Sequence, residues 1–387
     1  MNPQNRPTDD ERTPLENTTR SAPPASRGKP AKRPLPIWMQ ALAPGLLVAV
    51  ICGVFVSAFL WPMSQMHPEG IRLAVAGPDA QVSQIESALT AQQADLFSFA
   101  QQNDRDAAIG AIERRDVDGA VIVGEQGTEF LTASAGNAQV TQMLGQVATG
   151  MRQGLEQKSD QAIDDALSAA KSQGASAEQI LAMQQTLHEK AKAATTVTVT
   201  DVVGGGNAFA GNLTMLPALI AGMMGGMFSM LMVKRPYARL ITLGVAALGA
   251  GLIGAAVLGP WFDMIPGSYW AHALALGLGA LAISSVIAGL GTLFGPAGMG
   301  IGVALVLLIG TPWGGIMVPN EFLPGFMGTF GAQLPNGTVV SLMKSLSYFP
   351  DASTSGQWLT LLLWAAAGVV LLVIGAMLRG RRGGKTA

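Results

Sequence analysis

The chain of 387 residues is 49% apolar and only 13% charged, and its 24 basic and 25 acidic side chains leave a formal charge of −1. So little charge excludes a disordered chain as the default, and so weak a net field excludes steering of a polyanion such as nucleic acid. A lone cysteine, Cys52, excludes an intrachain disulfide framework and a paired-cysteine metal site, which leaves a large water-soluble core or a membrane protein.

The placement of the charges separates these. Residues 1–36 carry 11 of them, residues 37–62 none, residues 63–210 carry 27, residues 211–378 carry 7 and residues 379–387 carry 4. Residues 1–36 are rich in Pro, Arg, Ser and Thr, bury too little to offset ordering entropy, and are expected to form a disordered cytoplasmic tail. Ile37 to Trp61 then runs without a charge, with Trp38 and Trp61 near its ends. That is long enough for a membrane-spanning helix, 37–62, with aromatic side chains at both interfaces. A cleaved signal peptide fits less well, since the apolar run is too long and lies behind a long polar leader.

Residues 63–210 open with α/β patterning. Strands are expected at Ile71–Ala76, Leu96–Ala100 and Asp118–Gly124, with Glu129–Ala133 beside the last. Helices are expected from Ala80 to Gln92, with Val82, Ile85 and Leu89 inward, and from an Asp104 cap to Arg115. From Asn137 to about Thr195 the pattern is helical, with Val140, Leu144, Val147 and Met151 on one stripe. It breaks at Gly174-Ala175-Ser176, where Ser176 and Gln179 suit a capping box. A long helical hairpin is therefore predicted, followed by a strand at Thr196–Val203 and a Gly204–Gly206 joint.

Five further spans are predicted near 212–233, 238–258, 270–291, 297–317 and 358–378, because a soluble helix of this length needs a charged face and these have none. Lys234-Arg235-Pro236, Gly259-Pro260, Gly295-Pro296 and Gly310 to Pro312 punctuate them. The connection 318–357 holds two apolar pieces too short to span. They are expected to form short helices at, or dipping into, the outer leaflet, with a re-entrant lid at 319–349. Gly222 and Gly226, Gly291 and Gly295, and Gly249, Gly251 and Gly254 have spacings that permit close helix contact.

Lys and Arg flank the first span at Arg27, Lys29, Lys32 and Arg33, the second-to-third connection at Lys234, Arg235 and Arg239, and the last span at Arg379, Arg381, Arg382 and Lys385. An even number of spans puts all three groups on one side, so both termini are expected in the cytoplasm of a plasma (inner) membrane protein, with a basic tail at 379–387. Residues 63–210, with 18 acidic and 9 basic side chains, are then the extracytoplasmic domain. The fold class expected is an α-helical polytopic membrane protein of six spans, arranged one plus five around that α/β and hairpin domain.

Motifs for chemistry are few. The terminal Gly383-Gly384-Lys385-Thr386 lacks the first glycine and the preceding strand of a phosphate loop. His67, His188 and His272 have no metal-ligand spacing, and no Ser/His/Asp grouping is visible. Asn17, Asn212 and Asn336 match the glycosylation sequon, but with Asn17 cytoplasmic and Asn212 at the bilayer edge in this topology, chance matches are expected. No catalytic residue, cofactor or metal site is assigned, and an enzyme is not expected. Asp263, Glu321, Lys344 and Asp351 fall in connections rather than inside spans, which counts against a proton-driven antiporter.

One helix, a large external α/β-plus-helical domain and five more helices resemble the permeases of type-2 ABC exporters. The likeness is greatest to the phage infection protein (YhgE/Pip) branch and the related fungal nitrosoguanidine-resistance family. The residues that carry it are Ile71 to Gly77 with Asp104 to Gly124, Thr198 to Val203, and above all Leu293 to Phe349, with its Gly-rich fifth span, its Pro-Asn-Glu-Phe-Leu-Pro segment and its Leu-Pro-Asn-Gly turn. The resemblance spans roughly 37–380. It implies a homodimeric or heterodimeric permease, in contact with membrane lipids and powered by a separate cytoplasmic ATPase. The ATPase would meet Val233 to Arg239, through Lys234, Arg235 and Arg239. The outer lid would be Pro319 to Phe349, marked by Pro319, Glu321, Pro324, Pro335 and Lys344. Export of an amphiphile or cell-envelope component is the first expectation. A non-transporting envelope scaffold or receptor, recognising its partner through the external domain, is the second.

Overall fold

The computed structural model describes residues 70–92, 95–124, 127–205, 212–316 and 318–383, together with Gly53 and Ser57. The expected tail at 1–36, the rest of the expected first span at 37–62 and the side chains of Arg381, Arg382 and Lys385 lie outside the described residues.

The α/β part contains strands β1 (Ile71–Ala76), β2 (Phe97–Gln101), β3 (Gly119–Gly124), β4 (Gly127–Thr132) and β5 (Val197–Asp201), in the spatial order β2-β1-β3-β4-β5. β1 runs parallel to β2 and β3, β4 folds back antiparallel to β3, and β5 lies parallel to β4. Alternation puts Ile71 and Leu73 of β1 on one face with Val121 and Phe130. There α1 (Asp79–Gln92) and the first turns of α3 (Ala138–Ser172) cover them with Ile85, Leu89, Val140 and Leu144. Gly119 makes the second contact possible, since a Cβ there would meet the Leu144 side chain at 2.7 Å. The opposite face, with Ala74, Ala120 and Leu131, is covered by α2 (Arg105–Glu113) through Ala108, Ala111 and Ile112, and by Phe349 from a distant part of the chain.

The predicted caps are formed. Asp104 accepts from the Ala107 N–H, and Ser176 and Gln179 close the capping box of α4 (Ala177–Ala194). α3 and α4 make the long hairpin. Only its base is in the sheet core, and Leu181 and Met183 on α4 are exposed.

Among the described residues five helices make the bundle: α5 (Leu216–Met232), α6 (Pro236–Trp261), α7 (Tyr269–Phe294), α8 (Pro296–Trp313) and α11 (Ser355–Gly383). Four of these, α6, α7, α8 and α11, are long and apolar enough to cross a membrane, while α5 is a shorter apolar helix. Ile220, Phe228, Ile241, Leu248, Leu274 and Leu363 point outward, the dressing of a membrane protein rather than of a water-facing bundle. α7 is the axis. Its apolar window is 72% buried against 33% for α6 and 28% for α8 and α11. Its neighbours approach through small residues, as the glycine spacings of α5 and α6 suggested. Gly222 and Gly226 of α5 lie against Ile283 and Ile287, Gly251 of α6 against the Ala273 carbonyl, and Gly368 of α11 against Ser285. Gly295, at φ 75°, ends α7, and Pro296 starts α8.

Between α8 and α11 lie a short turn at Asn320–Phe322, α9 (Phe326–Ala332) and α10 (Pro335–Tyr348). α10 is sunk into the bundle, with Val339, Val340, Leu342 and Met343 almost fully buried beside α7 residues. Its Asn336 is buried and its Nδ2 donates to the Val306 carbonyl at 3.0 Å, in the wide, π-helical part of α8 at Leu305–Gly310 where the regular ladder is interrupted. Burial rules out Asn336 as a glycan acceptor. The chain after α10 then carries Phe349 into the sheet core, so sheet and bundle belong to one compact unit, Gly53–Ala387. The boundary expected near residue 210 separates two kinds of structure within that unit.

The α6–α7 contact provides a test. Gly251→Val would force α6 off the Ala273 carbonyl, whereas Gly249, with nothing within 4 Å of its Cβ position, has room. Gly251→Val is expected to destabilise the purified protein by about 1–3 kcal/mol, the usual range for overpacking, and Gly249→Val to leave the thermal midpoint nearly unchanged. Equal losses in the two variants would contradict the packing described.

Candidate functional site

α2 ends in a helix-terminating turn of the Schellman type. The Arg115 N–H donates to the Ile112 carbonyl and the Asp116 N–H to the Ala111 carbonyl, both at 2.9 Å. The residue at the turn must be left-handed, a place usually filled by glycine, yet here Arg115 occupies it at φ 62°. A non-glycine residue costs about 1–2 kcal/mol in that conformation. The return is direction: the turn aims the guanidinium at α10. Arg115 Nη1 donates to Ser345 Oγ at 2.8 Å, to the Ser341 carbonyl at 3.1 Å and to Ser341 Oγ at 3.3 Å. The guanidinium carbon also lies 5.3 Å from the centre of the Phe349 ring, a cation–π arrangement.

Two more contacts close the junction. Lys344 Nζ donates to the Gly136 carbonyl at 3.1 Å. Asn137, whose Oδ1 caps α3, donates through Nδ2 to Glu321 Oε2 at 3.2 Å. Around these groups is a cavity of about 470 Å³, lined by Arg115, Asp118, Asn137, Glu321, Ser341 and Lys344 among others, a size that suits a small-molecule site. Arg115, Glu321 and Lys344 are half-buried, enclosed by protein except where they face this space.

The electrostatics follow from that enclosure. Burial, with the nearby Arg115 charge adding to it and Glu321 opposing, lowers Lys344 to about 8. Burial likewise lowers Arg115 and raises Glu321, the latter aided by the Asp118 charge and opposed by Arg115 and Arg72. Asp118 is already engaged, by the Arg72 backbone N–H at 3.0 Å and by the Arg72 guanidinium at 3.0 and 3.3 Å. Neither Arg115 nor Lys344 forms an ion pair with a carboxylate among the described residues.

Of the lid residues predicted from sequence, Pro319, Glu321 and Lys344 meet in the cavity wall, while Pro324 and Pro335 do not reach it. Pro335 instead begins α10. The basic connection is divided. Lys234 and Arg235 have exposed side chains, but Arg239 is buried in the first turn of α6. Arg239 donates to the Val233 carbonyl at 2.8 Å and to Thr292 Oγ1 at 2.9 Å, so it holds the end of α5 to the end of α7. Arg115, Asn137, Ser341 and Ser345 escape sequence reasoning altogether. The only local hint is the Arg114-Arg115 pair at a helix end, which reads as an ordinary basic terminus. A second groove of about 510 Å³, between Leu248 and Leu252 of α6 and Trp270 and Leu274 of α7, is almost wholly apolar, and no charged side chain lines it among the described residues. No family model, curated protein or solved structure matches the chain.

Lys344 gives a pH signature. Its value is depressed in the folded protein relative to an ordinary 10.5, so between about 8 and 10.5 the unfolded chain binds more protons and stability rises with pH. Below about 8 the buried charge is fully destabilising. Lys344→Met is therefore expected to raise the thermal midpoint most below pH 8, with the advantage shrinking towards pH 10.5. A difference between variant and parent that does not vary with pH would show that Lys344 is not charged in a buried site.

Proposed function

We propose that the chain is the permease subunit of an ABC-type exporter that moves an amphiphile or cell-envelope component, driven by a separate cytoplasmic ATPase. In this reading α5, α6, α7, α8 and α11 join the 37–62 segment as six spans in a plasma membrane, with both termini in the cytoplasm. α5, at 17 residues, is at the short end of what can cross.

The observation that carries the proposal is the junction between sheet and bundle. A half-buried, charge-lined cavity lies where the α/β part grips α10, the re-entrant helix. A ligand leaving the bundle on that side would pass it.

Charge supports the orientation. Arg239 sits on Thr292 and Arg379 Nη2 on the Gly291 carbonyl at 3.3 Å, both at the C-terminal end of α7. The opposite end of α7 meets α10, where Ser347 Oγ is 3.0 Å from His272 Nε2. The bundle thus has a basic end away from the sheet, as retention of Lys and Arg in the cytoplasm requires. At that end Lys234 and Arg235 are exposed, Arg235 donating to the Tyr237 hydroxyl at 2.8 Å, where an ATPase could meet them.

The α3–α4 hairpin favours the second reading, an envelope scaffold or receptor. Much of its surface, Leu181 and Met183 included, is exposed and contributes nothing to the sheet core.

One pair of measurements separates the two. Under the transport reading the full chain co-purifies from native membrane with an ATPase and, reconstituted, raises its hydrolysis rate several-fold. Removing residues 159–190 and closing the hairpin with a Gly-Ser turn leaves that stimulation in place. If no ATPase is recovered or stimulated, while the shortened chain loses a partner that the full chain retains, the scaffold reading stands instead.

A further inference from the structure

The junction cavity holds two cations without a counter-charge in contact among the described residues. Arg115 uses Nη1 for Ser341 and Ser345, while its Nε and Nη2 groups have no hydrogen-bond partner among the described residues. Among the described residues Lys344 has one acceptor, the Gly136 carbonyl, for three ammonium hydrogens. The nearest acidic groups, Asp118 and Glu321, answer this need only through space and not by contact. Asp118 is taken by Arg72, and the Glu321 contact is with the neutral Asn137 amide. Buried cations are normally paired, and two like charges side by side in a partly dry space repel each other. The arrangement is stable only because rigid elements impose it. Arg115 is held by the turn that closes α2, and Lys344 by a helix whose Leu342 and Met343 are locked into the bundle core.

We infer that this cavity binds a phosphate group, with the free Nε/Nη2 edge of Arg115 and the ammonium of Lys344 as its ligands. The free edge of a guanidinium presents parallel donors that match two oxygens of one phosphate, and the ammonium supplies a point charge for a third. A volume of about 470 Å³ admits more than the phosphate alone, with room for the polar part of a headgroup. Glu321, on the same wall, accepts from Asn137 Nδ2 rather than from either cation, so it leaves their donors open to the phosphate. The inference deepens the permease reading by naming the chemistry carried by its amphiphile, and it rests on that reading for the lipid as source.

The test uses the full chain, purified in an uncharged detergent near pH 7, with no ATPase present. Three probes are titrated by calorimetry: inorganic phosphate, dihexanoyl phosphatidic acid, and dihexanoyl phosphatidylcholine as a headgroup without net charge. Saturable binding of phosphatidic acid at one site per chain is expected, well above phosphatidylcholine. Affinity is expected to fall at least about tenfold in Lys344→Gln and in Arg115→Gln, the scale of one charge-assisted contact. Arg115→Lys, which keeps the charge and loses the fork, should lie between, and it replaces Arg115→Gln if that variant fails to fold. Inorganic phosphate binding as tightly as phosphatidic acid would point to a free-phosphate source, and much weaker binding to a lipid source. Either outcome upholds the site. Absence of saturable binding by both phosphate probes overturns it. So does a Lys344→Gln variant with a thermal midpoint at or above the parent's that binds them equally well. Because the assay contains no ATPase, its failure leaves the transport test intact, and failure of ATPase coupling leaves this result intact.

Discussion

A guanidinium withdrawn from water at the end of a short helix sets the terms for everything around it. Arg115 stands where a helix C-terminus welcomes a cation, but its left-handed backbone and its burial both oppose it. What holds it is supplied from more than 200 residues away, by hydroxyls on one face of α10 at Ser341 and Ser345 and by the ring of Phe349. Those groups are in place only because α10 is buried among bundle helices, and Phe349 only because the sheet leaves a gap over Ala74 and Leu131. Sheet, junction and bundle are therefore a single packing problem. Its least favourable term is concentrated at the cavity, where strain and desolvation are tolerated for what they position.

Much of this architecture is local enough to be legible in sequence. Strand alternation places Ile71, Leu73 and Phe130 on one face of the sheet, and the Asp104 and Ser176 caps start their helices. The break at Gly174 turns the hairpin, and small residues mark where α5 and α6 touch α7. These signals depend on neighbours within a few positions, so a periodicity argument captures them. Glu321 and Lys344 are visible as rare charges in an apolar connection. Their meeting with Arg115 and Asn137 is not visible, because hydrogen bonds between residues 184 to 230 positions apart leave no periodic trace. Arg239 misleads for a related reason. A basic residue in a loop-like flank reads as exposed, but Pro236 starts α6 early and swings Arg239 under the Val233 carbonyl.

The parallel pairing of β4 with β5 is equally hidden. The hairpin of α3 and α4 acts as the crossover between these strands, so the strand that ends the sheet is supplied only after an excursion of more than sixty residues. Sequence shows that a strand follows the hairpin. Its partner is β4, and Asp201 at its end accepts from the Ser134 N–H at 3.0 Å just beyond β4. That contact also steadies the turn that presents the Gly136 carbonyl to Lys344.

The bundle gives α7 a part that its composition conceals. It carries no charged residue, yet it touches polar groups near both ends, His272 with Ser347 at one and Thr292 with Arg239 at the other. Its flanks are packed through backbone-close contacts at Gly226, Gly251 and Gly368, where interiors transmit displacement rather than absorb it. A shift of α7 along its axis would strain the Arg239 contact at the basic end. It would also strain the Ser347 contact two residues from both Ser345 and Phe349. Those are the groups that hold Arg115, so the cavity and the basic end are joined by one stiff helix and by hydrogen bonds that break at known places.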